Sequence, residues 1–410
     1  LAGEGRPSSP ARRARRALIV VENLPVPFDR RVWLEATTLR EAGWDVEVVC
    51  PVGPGHPERE ETLDGIRIHR HPLPPEGEAA LGYFREYAHA LRWERRLARA
   101  VWKERPFDVI HICNPPDLLY LVAKPFRRKG AALVFDQHDI NPELFEAKYG
   151  RRGPFHKALL MAEKATYRAA DAVIATNESY RQIAMERGGK APEDVFVVRS
   201  GPRLDRFKPV PPDPTWKRGK RFLVGYVGVI GEQEGIDHLL KAARILRDRG
   251  RDDVHYVLVG GGPAVERLKG AAKHLGVDDL VEFAGRVPDA DLISRLCTAD
   301  VCVNPDTANP FNDKSTMNKI MEYMALGRPI VQFDLTEGRR SALDASLYAR
   351  HNDAEHLADL IAQLLDDPAA RERMGAFGQK RMREELEWTY QKPKLLAAYE
   401  RALEKRKGQG

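Results

Sequence analysis

The chain has 410 residues, 43% of them hydrophobic and 31% charged, with a net charge of +6 and a pI of about 9.0. At roughly 100–200 residues per domain this predicts two domains, each able to bury a core, and it excludes a chain that is disordered overall. So mild a basic excess suits an anionic substrate or a membrane surface and speaks against a dedicated nucleic-acid binder.

Residues 1–16 are rich in Pro, Ser and Arg and are expected to form a disordered tail. The apolar stretch that follows, Ala17–Val21, stops at Glu22 and is too short for a signal-peptide core. No run approaches the roughly 18 apolar residues of a membrane span, so the expected location is cytoplasmic. Short apolar runs at Ala17–Val21, Val46–Cys50, Ile66–Arg70, Val109–Ile112, Leu133–Asp136, Ala172–Ala175 and Val195–Val198 have the character of buried parallel strands. Helical patterns lie between most of them, for example Arg30–Ala42, Pro116–Arg127 and His156–Ala169. This βαβ series predicts a Rossmann-like domain over 17–207.

Lys208–Lys220 carries four prolines in thirteen residues and predicts a linker. The pattern then restarts, with strands at Phe222–Val227, His255–Val259, Leu280–Phe283, Val301–Asn304 and Ile330–Phe333, giving a second Rossmann-like domain over 221–385. Residues 386–410 predict a last helix that crosses back to the first domain. Two doubly wound parallel-sheet domains would face each other across a cleft lined by strand carboxyl ends, where open α/β sheets bind ligands. Cys50, Cys113, Cys297 and Cys302 lack metal-site spacing and are expected to be small buried thiols.

Several segments near those strand ends carry chemistry. Gly260-Gly261-Gly262-Pro263 follows a strand and precedes a helix, and Gly225, Gly228 and Gly231 punctuate an earlier one. Such glycines let a backbone approach a phosphate or sugar, though they equally suit a tight turn. In Asn309–Pro329, the residues Asn312, Asp313, Ser315 and Thr316 are N-cap types, which predicts a helix to about Leu326 capped by Gly327. Its free N–H groups at Thr316 and Met317, with Lys314 and Lys319, would seat an anion, and Glu322 would accept ribose hydroxyls. Phe135–Asp139 (FDQHD) ends a strand and places His138 at the mouth of the sheet, with Asp139 expected to orient its ring. Asp29 is a plausible N-cap beside Arg30 and Arg31, which either contact phosphate or lie in water. Tyr83–Arg105 has seven basic residues against three glutamates and interleaved aromatics. That pattern fits an anionic membrane surface or a helix packed on its domain.

Together these segments resemble the family 4 retaining glycosyltransferases, which have the two-domain GT-B fold. The likeness spans 17–405 and rests on PVPFDRRVWLEA (25–36), FDQHD (135–139), ADAVIATNESY (170–180), VVRSGPRLDRF (197–207), GGGP (260–263), FAGRVPDADL (283–292) and STMNKIMEYMALGRP (315–329). The resemblance implies transfer of a sugar, with retention and without a metal or resident cofactor, from a nucleotide-sugar donor to a glycan or lipid-linked acceptor. It implies that Gly285, Arg286 and Val287 meet the base, that Glu322 holds the ribose, that Ser315–Met317 seat the diphosphate and that His138 lies near the donor sugar. Gly231, Gly261 and Gly262 would line the donor pocket.

The chain departs from the family at two places. Lys314 stands where the family has the first of its two glutamates, so that acidic role is either missing or passed to Asp313. The loop after the first strand of the second domain, GVIGEQEGID (228–237), lacks the family's phosphate-gripping Arg and Lys, so Lys314, Lys319, Arg203 or helix dipoles are expected to meet that charge. The STMNK form resembles a subgroup that acts in surface-polysaccharide pathways. A sugar-nucleotide epimerase or hydrolase of the same fold, and a non-catalytic nucleotide-sugar-binding subunit, are the alternative readings.

Overall fold

The computed structural model describes residues 13–73 and 80–408, with side chains for all of these except 80–87. Most of the expected tail (residues 1–12) therefore lies outside the described residues. Its last member, Arg16, is buried and opens the first strand, because its guanidinium is taken up by Glu47 and by the Arg105 carbonyl.

Eight strands form the first sheet: β1 (Arg16–Val21), β2 (Asp45–Pro51), β3 (Glu60–Leu63), β4 (Ile66–His71), β5 (Val109–Cys113), β6 (Ala132–Gln137), β7 (Ala172–Ala175) and β8 (Val195–Val197). Their order is β3-β4-β2-β1-β5-β6-β7-β8, parallel except for the β3–β4 edge pair. The second sheet has six: β9 (Phe222–Val227), β10 (Val254–Val259), β11 (Val281–Gly285), β12 (Val301–Asn304), β13 (Ile330–Phe333) and β14 (Ser346–Ala349). These run in the order β11-β10-β9-β12-β13-β14, all parallel. The central strands β1, β5, β6, β7, β10, β12 and β13 are buried at every position, which is why they are near-continuous apolar runs. Of the two strands missed by apolar reading, β3 and β14, the first is a polar edge strand with no buried residue.

The Pro-rich stretch 208–220 is docked on the second domain. Trp216 donates to Ser294 Oγ at 2.9 Å and lies 3.8 Å under the Arg295 guanidinium. At the other end of the chain, the Trp388–Lys407 helix packs against β5–β8 of the first sheet. Trp388 donates to Thr38 Oγ1 at 2.9 Å, and the Tyr399 hydroxyl meets His111 Nδ1 at 2.7 Å. Leu395, Ala398 and Ala402 complete the apolar layer over β1, β5 and β6. Leu395 is fully buried, so Leu395→Ala is expected to destabilise by about 2–5 kcal/mol, read as a lowered thermal midpoint. An unchanged midpoint would mean that the helix adds nothing to the core.

In the Ala80–Glu104 helix, Trp102 packs against Phe107 and Phe126, at ring distances of 4.8 and 5.3 Å, while Arg92, Arg95, Arg96 and Arg99 are exposed. The side chains of Tyr83, Phe84 and Tyr87 lie outside the described residues. No helix among the described residues is long and apolar enough to cross a membrane.

Candidate active site

Strand order changes direction between β1 and β5 in one sheet and between β9 and β12 in the other. The crevices beyond those carboxyl ends are the ligand positions of such sheets. The segments that meet there bind each other directly. Asn177 caps the Glu178–Glu186 helix of the first domain and donates through Nδ2 to the Lys314 carbonyl at 2.8 Å and to Thr316 Oγ1 at 3.0 Å. The Tyr180 hydroxyl meets Ser315 Oγ at 3.0 Å, and Ser179 donates its amide and hydroxyl to Glu337 Oε1 at 3.0 and 2.7 Å.

On the second-domain side, the expected single helix is two. Asn309 caps Pro310–Lys314, the chain is extended at Ser315 and Met317, and Asn318–Ala325 follows. The hydroxyls expected to cap the helix are engaged elsewhere: Ser315 donates to the Phe311 carbonyl at 2.8 Å, and Thr316 accepts from Asn177. Met317 is left at the N-cap position with no side chain to offer. Among the described residues, the amides of Thr316, Met317, Asn318 and Lys319 donate to no protein group. An uncapped helix start presents free N–H groups and the positive end of the helix dipole.

Glu322 lies one turn into the same helix, and its carboxylate accepts no hydrogen bond among the described residues. Burial pushes it up to about 7, against the pull of Arg30 from the first domain and Arg206 from the crossover. Lys319 does not point a free charge at the cleft. It is largely enclosed, with Nζ 2.9 and 3.1 Å from the Asp306 carboxylate and 5.0 Å from the centre of the Tyr226 ring.

Not all of the glycines serve a ligand. Gly260 has φ +134°, and a Cβ there would fall 1.8 Å from the Gly228 carbonyl oxygen; one at Gly262 would fall 2.4 Å from that of Ile230. Both are needed so that the loops after β9 and β10 can cross. Gly261 is open, its nearest neighbour being Arg286 Cγ at 4.0 Å. The Gly231 amide donates to Glu234 Oε2 at 3.1 Å, so it is occupied by the chain itself. Arg286 is exposed and Val287 is half-buried at the edge of an apolar cluster.

In the first domain, Asn114 Oδ1 accepts the amides of His138 and Asp139 at 2.7 and 3.2 Å and so fixes the turn after β6. The His138 ring is held by Asp136, with Nε2 2.5 Å from Oδ2, and not by Asp139. Along an extended chain the i−2 neighbour shares a side with residue i, whereas the i+1 neighbour points away. Asp139 lies near Tyr180 instead, and burial pushes its carboxyl up. Arg31 is neither in water nor free for phosphate. It is buried, with Nε and Nη2 on the Asp136 carboxylate at 2.8 and 2.6 Å and Nη1 on the Val198 carbonyl and Ser200 Oγ at 2.8 and 2.7 Å. Asp29 caps the Arg30–Glu41 helix by accepting the Val32 amide.

Three further expected site residues are committed to structure. Asp313 accepts the amide and hydroxyl of Thr336 at 2.8 and 3.1 Å, capping the next helix, so its carboxylate is not aimed at a ligand. Lys314 Nζ lies 3.7 Å from Glu143 across the domain boundary. Arg203 is exposed and bound to Asp205. Three residues along, Arg206 grips Asp289 with bonds of 2.6 and 2.5 Å, and nothing in the local sequence signals that pairing.

Two doubly wound α/β domains, whose carboxyl-end segments bind each other directly, form the GT-B architecture of glycosyltransferases. Residues 28–201 match the model of the glycosyl transferase 4-like domain, and residues 212–381 match that of the glycosyl transferases group 1. The chain is 24% identical over 387 residues to 2-deoxystreptamine glucosyltransferase of Streptomyces kanamyceticus, covering 90% of this chain and 97% of the relative. It is 26% identical over 401 residues to D-inositol 3-phosphate glycosyltransferase of Kineococcus radiotolerans, covering 90% and 89%. The structure of sucrose-phosphate synthase from Thermosynechococcus elongatus superposes with a TM-score of 0.78 at 20% identity, over 94% of this chain and 98% of that one. The chain belongs to the family 4-like glycosyltransferases, which move a sugar from a nucleotide-sugar donor.

Proposed function

We propose that the donor's diphosphate sits on the free amides of Thr316–Lys319, its ribose hydroxyls on Glu322 and its base beside Gly285–Val287, with the sugar reaching toward His138. The observation that carries this is the uncapped start of Asn318–Ala325, one turn from a carboxylate with no protein partner. An anion at the amides uses the helix dipole where the usual cations are missing. Glu322, when ionised, accepts from vicinal hydroxyls. The reading needs no resident cofactor or metal, the nucleotide-sugar being a substrate. Transfer is with retention, and the leaving diphosphate takes the acceptor's proton.

The acceptor in this reading is a glycan or lipid-linked glycan, as in the STMNK-type subgroup of surface-polysaccharide enzymes. Exposed Arg92, Arg95, Arg96 and Arg99 support a peripheral contact with anionic headgroups at the inner face of the membrane. The test is a panel of UDP-, GDP-, ADP- and dTDP-sugars, followed by thermal shift and by donor consumption. One base class is expected to raise the midpoint and be consumed. No shift with any of the four overturns the donor assignment.

A further inference from the structure

Beneath His138 lies a buried cluster that the transfer reading does not use. Glu35, His111, Cys113 and Asp136 are fully buried, and their polar atoms lie within 4.8 Å of one another. Arg31 supplies the cation there, with Nη2 2.6 Å from Asp136 and 3.2 Å from Glu35. We propose that Asp136, locked by Arg31, is a positioning residue for His138, accepting its Nε2–H so that the ring meets a ligand only through Nδ1. The inference rests on the reading of His138 as a contact of the donor sugar.

The geometry leaves Asp136 no freedom. Oδ1 accepts from Arg31 Nη2, while Oδ2 accepts from Arg31 Nε and from His138. Arg31 is itself fixed through Nη1 by the Val198 carbonyl and Ser200. The His138 ring is 17% exposed, and its Nδ1 makes no hydrogen bond among the described residues. That nitrogen is the one polar atom of the ring left for a ligand.

The charges around the pair fix its state. Burial disfavours a charged Asp136, but Arg31 and His138 outweigh it and hold the carboxyl well below its ordinary range. Burial likewise disfavours the imidazolium, and Asp136 outweighs it, so His138 is raised above its ordinary value. Burial pushes the other facing groups, Glu35 and the Cys113 thiol, up and His111 down, each toward its neutral form, and the Tyr399 hydroxyl meets His111. Asp29 at the cap of the first helix and Asp139 complete the surroundings. A group with a raised folded pKa keeps its proton at low pH and loses it as pH rises through that value. With the proton, Nδ1–H donates a hydrogen bond to a sugar or leaving-group oxygen. Without it, Nδ1 only accepts.

The test follows the His138 imidazole by NMR in histidine-labelled protein, assigned with His138→Gln. In the wild type, the neutral ring is expected as the Nε2–H tautomer with a raised midpoint. In Asp136→Asn the midpoint is expected to fall by about one pH unit or more. Arg31→Lys, which keeps the charge but loses the fork, should fall between the two. With the donor that the panel identifies, Asp136→Asn should lower kcat about tenfold or more and move the alkaline limb of its pH profile to lower pH. UDP or GDP affinity, set on the other domain, should stay within about twofold. An Nδ1–H tautomer in the wild type overturns the proposal, and this result does not depend on any variant folding. So does an unchanged midpoint in Asp136→Asn or, if that variant does not fold, in Arg31→Lys. Absence of donor turnover counts against the transfer chemistry alone, because the NMR result stands without it.

Discussion

Glu322→Ala is expected to weaken nucleoside-diphosphate binding about 100-fold or more. A carboxylate that accepts from two ribose hydroxyls makes charge-assisted bonds of about 1.5–3 kcal/mol each, and each 1.4 kcal/mol is about a factor of ten. The variant also separates function from stability. Burial raises the Glu322 carboxyl to about 7 in the folded protein, above its unfolded value. A carboxyl raised in this way contributes its stability below the unfolded pKa and loses it as pH rises through about 7, so at pH 8 its ionisation opposes folding. Glu322→Ala should therefore raise stability at pH 8 by about 1–2 kcal/mol after allowance for solvent and nearby arginines, read as a higher thermal midpoint, with little gain at pH 5. Donor affinity of the wild type should improve as pH rises through the same value, because the ionised form accepts hydroxyl hydrogens. Glu322→Gln should bind with an affinity insensitive to pH. Calorimetric titration with UDP and GDP at pH 5.5 and 8 measures both effects. Equal affinity in the wild type and the Ala variant would remove Glu322 from the donor site.

The sheets were legible because their central strands are buried on both faces and are therefore apolar without interruption. The edge strand β3, Glu-Glu-Thr-Leu, carries no such signal, and the short outer strand β14 was missed as well. The Asn318–Ala325 helix was legible in composition but not in its start. Ser315 and Thr316 are good caps in any local reading, yet Tyr180 and Asn177, more than 130 residues earlier in the chain, claim them. Local capping rules do not contain that competition, and its result is a helix left open. Asp136 was within reach of the two-residue periodicity of a strand, which places it beside His138 and sets Asp139 apart. Its clamp by Arg31 joins residues 105 positions apart and needs the fold. Lys319 shows the same limit: a lysine near a helix start suggests anion binding until Asp306 is found 2.9 Å away.

Gly260→Ala should destabilise the second domain by about 3 kcal/mol or more, whereas Gly261→Ala should change stability by less than about 1 kcal/mol. At position 260 two costs coincide. The backbone has φ +134°, which a side chain strongly disfavours, and the new Cβ would fall 1.8 Å from the Gly228 carbonyl oxygen. That oxygen belongs to a turn whose own amide donates to Val259, so relief of the clash must break the crossing of the two loops. The Gly260 amide also donates to the Gly285 carbonyl at 2.8 Å, so displacement reaches the loop where the base is proposed to lie. At position 261 the added methyl meets only the Arg286 side chain at 4.0 Å. Its expected effect is on the ligand: weaker donor binding in a protein with an unaltered thermal midpoint. Thermal denaturation beside nucleotide titration separates the two glycines. If Gly260→Ala melted with the wild type and only its nucleotide affinity fell, the triple glycine would serve the phosphates and not the crossing.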